Sequence, residues 1–215
     1  MYDDGTITET TQQPGIALDG AEADLRAFRS HWASMRLGES VPRRSDIDPR
    51  RIGPLLSNAF IAERIAPGVT RLRIAGMHLN DLMGMEVRGM PLSSFIAPAA
   101  RQRFADALVD LFDRPATLEL DLCGKTGFGR PPLAGRLVLL PLRSDLGDVS
   151  RALGCLVTQG EIGRTMRRFD IGAIRMAPLT TTPQQMRLTS LTGGATSPGP
   201  GHRARRGHNH LRLVK

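Results

Sequence analysis

Few residues in this chain are of the types that do chemistry, and their neighbours argue against most of it. Asp46 and Asp48 stand two apart in the run P-R-R-S-D-I-D-P, an acidic pair of the kind that metal binding or acid–base work uses. Asp48 directly precedes Pro49, however, and that pairing opens a helix: the carboxylate caps the first amides and proline takes the first helical position. Arg43 and Arg44 beside the pair offer local ion pairs, so the bland reading is the stronger one. Glu86 and Arg88 point the same way on an extended chain, and a surface ion pair there contributes little. Cys155 lies in the apolar strand-like run A-L-G-C-L-V, which suits inert packing. Gly124-Lys125-Thr126 matches the end of a phosphate-binding loop, but G-x-x-x-x-G-K-[ST] needs a glycine where this chain has Glu119. There is no G-x-S-x-G, no paired-histidine zinc spacing and no nucleophile with a local base. The sequence therefore assigns no catalytic residue and no metal ligand, and the expectation is a protein that is not an enzyme.

The elements that would position a binding site are easier to read. Leu25, Phe28, Trp32 and Met35 step by three, four and three across 21–37, which lines one face of an amphipathic helix that Gly38 stops. Such a stripe serves either as a dimer or partner surface or as a cap on the chain's own sheet, and an exposed Trp32 would favour the first. A short helix follows from Asp48-Pro49 through Leu56. Residues 59–65 and 69–75 read as strands around Ala66-Pro67-Gly68; in the second, Thr70, Leu72 and Ile74 face one way and Arg71 and Arg73 the other. Met77 to Met83 fits a short helix closed by Gly84. Phe104, Leu108, Leu111 and Phe112 stand at helical spacing within 98–113. Three strands then follow: one alternating through Leu118, Leu120 and Leu122, one over 133–142, and one over 151–160. Two strands, helices and three hairpin-linked strands predict an α+β fold with an antiparallel sheet.

Composition bounds the rest. The 215 residues allow one domain with tails, and a folded part of about 140 residues buries roughly two-thirds of its unfolded surface without a metal or disulfide staple. Two cysteines, Cys123 and Cys155, are too few for a secreted disulfide framework. No apolar run reaches the ~20 residues that cross a bilayer, and the polar start MYDDGTITETTQQPG is unlike a signal peptide. A cytoplasmic location is expected. The net charge of +8 is uneven: Arg203, Arg205, Arg206, Arg212 and Lys215, with no acid in 201–215, supply +5 of it. Residues 1–20 are too polar to pack, the folded domain is expected over 21–161, 162–176 is a basic extension without clear period, and 177–215 is a tail expected to be disordered.

Several of these stretches share their wording with one family. W-x-x-x-R-x-G at Trp32, Arg36 and Gly38, P-x-R-x-D-I-D-P from Pro42 to Pro49, R-x-R-I-A-G from Arg71 to Gly76 and D-L-M-G-x-E-x-R-G from Asp81 to Gly89 resemble a bacterial PAS-type sensory domain family, found mainly in alphaproteobacteria. The resemblance runs over Leu25 to Glu161 and implies a stand-alone PAS domain protein. It implies a five-stranded antiparallel sheet with helices on one face, preceded by the amphipathic helix. It also implies a pocket between sheet and helices, lined by Phe60, Leu72, Ile74, His78, Leu82, Phe95, Phe104, Leu108, Leu120, Leu139 and Leu156. The same residues can equally be a filled core.

The cofactor that would fill such a pocket is not specified. A haem needs an axial histidine inside an apolar wall, whereas His78 falls at a strand-to-helix junction and His31 in the first helix. A light-sensing flavin relative needs its cysteine in an N-C-R-F-L-Q-like motif, and Cys123 stands in D-L-C-G-K-T-G. Both groups are disfavoured, and a small apolar ligand remains. No kinase, cyclase or helix-turn-helix motif follows Glu161, so a sensor here is expected to report by association, as a homodimer or with a signalling partner. The alternative is a nucleic-acid-associated regulator that binds through Arg203 to Lys215, with the PAS-like part serving to dimerise; an anionic membrane is a further target for that tail. Steep weakening with salt would mark phosphate binding.

Overall fold

The computed structural model describes residues 19–38 and 40–179. The basic tail residues Arg203, Arg205, Arg206, Arg212 and Lys215 lie outside the described residues, as do 1–18.

Helix α1 (Asp19–Ser34) comes first, and the chain leaves it through Gly38 at φ +62. Asp48 caps α2 (Pro49–Ile52) by accepting from the Arg50 amide at 3.0 Å, with Pro49 in the first turn, where its fixed φ suits the helix. Strands β1 (Ala59–Ala66) and β2 (Val69–Ala75) form a hairpin, followed by α3 (Met77–Met83), which ends on left-handed Gly84 at φ +68. Helix α4 (Arg101–Asp113) leads into β3 (Ala116–Gly124), β4 (Leu133–Arg143), β5 (Val149–Gly160) and β6 (Phe169–Pro178). All neighbours pair antiparallel in the order β2-β1-β5-β4-β3-β6.

Two features differ from the sequence expectation. The sheet has six strands rather than five, because β6 pairs along β3 from Gly124↔Phe169 to Ala116↔Pro178. Its period is hard to see in sequence because it is an edge strand: only Phe169 and Ile171 are buried, while the rest of the strand carries mixed side chains. Helices also cover both faces rather than one. Leu79, Leu82, Phe104 and Leu108 of α3 and α4 pack on the inner face with Leu120, Leu137, Leu139 and Leu156. Leu25, Phe28 and Trp32 of α1, with Ile52 of α2, pack on the opposite face over Val138, Leu140, Leu142, Leu153, Cys155 and Val157. The signal for this was present: 137–142 and 152–157 are apolar on both parities, as a strand buried on both faces must be.

Candidate functional site

Nine of the eleven residues expected to line a pocket come together in one buried core. Phe60, Leu72, Leu82, Phe95, Phe104, Leu108, Leu120, Leu139 and Leu156 share one buried cluster beneath α3 and α4. The Phe60 ring lies against Gly154, its cross-strand partner, in the space a β-carbon there would take. A glycine on one strand and an aromatic ring on its neighbour thus level the inner surface of the sheet.

Ile74 is the exception in position. Between Ile61 and Ala62 the β1–β2 register shifts, so Ile61 pairs with Ile74 while Ala62 pairs with Leu72. The extra residue, Arg73, is a β-bulge, and a one-residue shift sends every later side chain to the other face. Leu72 therefore points into the inner core, whereas Ile74 emerges on the opposite face, 51% exposed. The expected alternation of Thr70, Leu72 and Ile74 on one side is corrected by that bulge. His78 is half-buried where β2 meets α3, its Nε2 3.0 Å from Thr158 Oγ1, and burial pushes its pKa down.

The displaced Ile74 forms the wall of a cleft of about 470 Å³ on the second face. Ile47, Ile52, Ile61 and Leu153 line it with Ile74, and Arg44 is among its lining residues. The cleft lies at the β1–β2 corner beside the 44–56 segment. Arg44 has no carboxylate partner among the described residues. An apolar trough with an unpaired cation in its lining suits a small molecule with an apolar body and an anionic end.

The N-terminal stripe is used within the chain. Leu25, Phe28 and Trp32 are buried on the sheet, Met35 packs against the same cluster, and Trp32 Nε1 donates to Pro141 O at 2.9 Å. Their burial leaves other α1 residues outward: Ala23, Arg26, Ala27, Ser30, Ala33 and Ser34, with Leu37, just beyond the helix, 86% exposed. Ile52, Ile61 and Leu153 belong both to the cleft wall and to the cluster on which α1 rests. An occupant pressing on them presses on the seat of α1.

A chain of ion pairs holds the other side of α1. Arg29 reaches Glu22 at 2.7 Å and Glu119 at 2.8 Å, Arg136 reaches Glu22 at 2.6 Å and Asp121 at 3.1 Å, and Arg175 of β6 grips Asp121 at 2.7 Å. The network was not visible in sequence, because the polar members of β3 look like any solvated face until α1 is placed over them. Arg29 holds Glu22 below the usual carboxylate range, and the Arg175 guanidinium does the same for Asp121. Their folded pKa values lie below the unfolded ones, so what they contribute is fully present above about pH 4 and is lost as acid protonates them.

His31 acts in the same direction at higher pH. It is 7% exposed, neither ring nitrogen has a partner, and burial pushes its pKa down. The unfolded chain therefore takes the proton first, and stability falls as pH drops below about 6.5. The urea midpoint is expected to fall in two stages, one below about pH 6.5 and one below about pH 4. His31→Phe should remove part of the first stage, with His78 supplying the remainder. A midpoint constant between neutral and mildly acidic pH would contradict the burial of His31.

Cys155 is buried in the second core, and burial pushes its thiol up to about 12, so it is a packing residue rather than a nucleophile. No helix among the described residues is long and apolar enough to cross a membrane.

The family model described as PAS domain matches residues 21–157, more than half of the chain. Among solved structures, the chain is similar to "The light state structure of the blue-light photoreceptor Aureochrome1 LOV", at 14% identity and a TM-score of 0.35, over 49% of this chain and 83% of that one. No curated protein matches it.

Proposed function

The chain belongs to the PAS domain family, and on that premise we propose that it is a cytoplasmic, non-enzymatic sensory protein that binds a small apolar ligand and signals by association. The observation that carries this reading is the cleft between the 44–56 segment and the β1–β2 corner, whose wall residues Ile52, Ile61 and Leu153 also seat α1. Ligand in the cleft favours one packing of α1 over another, to the extent that it binds the two packings differently. The readout is the outward face of α1. Ala23, Ala27, Ser30, Ala33 and Ser34 leave room on that face for a second helix, with Arg26 beside them as a polar contact, either from another copy of the chain or from a signalling partner. Haem and flavin are not part of this proposal.

Dodecanoate is a suitable probe, with an apolar chain for the trough and a carboxylate for Arg44. Isothermal titration is expected to show saturable binding to the full-length chain. Ile74→Arg should abolish it, because the exposed position accepts the new side chain without disturbing the core while filling the mouth of the cleft. Arg44→Ala should weaken binding of dodecanoate but not of dodecanol. Equal binding by wild type and Ile74→Arg would refute the cleft as the site.

A further inference from the structure

The two loops at the far end of the sheet from the β1–β2 turn carry an unexplained combination of charge and exposed apolar side chains. One is residues 125–132, K-T-G-F-G-R-P-P, between β3 and β4; the other is 161–168, E-I-G-R-T-M-R-R, between β5 and β6. Strand pairing brings them to the same end, with Leu133 opposite Gly160 and Gly124 opposite Phe169. The loops touch closely: the Arg164 amide donates to Gly129 O at 3.2 Å, and a β-carbon on Gly163 would overlap that same carbonyl and the Pro131 ring. Arg167, fully buried, fastens them, donating to Pro131 O of one loop at 2.8 Å and to Ile162 O of the other at 3.2 Å.

The face so formed exposes Lys125, Arg130, Arg164 and Arg168, with Glu161 the one acid within the two loops. Lys125 meets Asp170 at 3.7 Å; Arg130, Arg164 and Arg168 are exposed and have no carboxylate partner among the described residues. Between them, Phe128 is fully exposed at 103% and Met166 is 44% exposed. Phe128 stands between Gly127 and Gly129, the latter at φ +67, at the turn of its loop.

We propose that this end of the domain docks on an anionic lipid surface, with Phe128 and Met166 entering the headgroup boundary and Arg130, Arg164 and Arg168 meeting lipid phosphates. Unpaired cations interleaved with apolar side chains on adjoining loop tips match the two layers of such a surface, charge outside and hydrocarbon beneath. A nucleic-acid backbone would need the cations but not the exposed thioether beside them. The Arg167 staple makes the two tips a single rigid platform.

The test uses the full-length chain with vesicles of phosphatidylglycerol and phosphatidylcholine, beside vesicles of phosphatidylcholine alone. Phe128→Trp places a reporter at the tip, read against the constant signal of buried Trp32. Its emission is expected to shift to the blue with the anionic vesicles only, and the protein to pellet with them. Arg130→Ala should lower partitioning about fivefold, Phe128→Ser should lower it further, and salt should weaken it. Each substituted position is exposed, so a thermal melt is expected to show an intact fold. The proposal fails if wild type does not pellet with anionic vesicles. It also fails if the Phe128→Trp variant pellets while its loop-tip emission stays unmoved, since another part of the chain then makes the contact. A blue shift with single-stranded oligonucleotide but not with vesicles would likewise overturn it in favour of nucleic acid.

Discussion

Trp32→Ala is expected to lower the stability of the chain by about 3–5 kcal/mol, the range for removing a large aromatic side chain from a well-packed core. Trp32 carries α1 onto the sheet: its ring is buried among Leu25, Phe28, Leu140 and Leu142, and its indole N–H donates to Pro141 O on β4. Alanine removes both the packed volume and the donor. Trp32→Phe should separate the two, keeping most of the volume and costing about 1 kcal/mol more than packing alone for the lost hydrogen bond. Urea unfolding followed by far-ultraviolet dichroism measures both. A loss below about 1 kcal/mol for Trp32→Ala would mean that α1 is not docked on this face, and the proposed link from cleft to helix would have no anchor.

The second large effect lies on the inner face. Gly154→Ala places a β-carbon inside the space of the Phe60 ring, which stands over Gly154 from the adjacent strand. The ring is buried in the inner core, so overpacking should cost about 1–3 kcal/mol or more. Phe60→Leu alone leaves a smaller loss of volume. Because the two residues touch, their effects should not add: the double variant Phe60→Leu/Gly154→Ala is expected to be more stable than the sum of the single changes implies, by at least about 0.5 kcal/mol. Simple additivity would show that the ring and the glycine do not share one space.

Much of the fold was legible because its signals are local. Asp48-Pro49, Gly68 and Gly84 punctuate the chain where the structure does, and the Leu118, Leu120, Leu122 alternation marks β3 correctly. The site was less legible because it depends on register and on faces. One extra residue at Arg73 turns Ile74 away from Leu72, and no composition signal marks a bulge. The role of the Leu25, Phe28 and Trp32 stripe rested on which surface it meets, which a helical period does not state. The apolar residues of both parities in β4 are consistent with a strand covered on both faces, but they do not say which element covers the second one. The ionic chain through Glu22, Arg29, Asp121, Arg136 and Arg175 joins four elements distant in sequence, so only assembly brings it into being.

Hydrogen exchange of the full-length chain, with and without saturating dodecanoate, tests the central claim most directly because it locates the occupant. The account predicts added protection in 44–61, in β2 and in the first half of β5, with changed exchange along α1 and little change in α3 and α4. Protection confined to α3, α4 and the inner face of the sheet would contradict it, placing the ligand in the core. So would an unchanged exchange pattern throughout the cleft and α1.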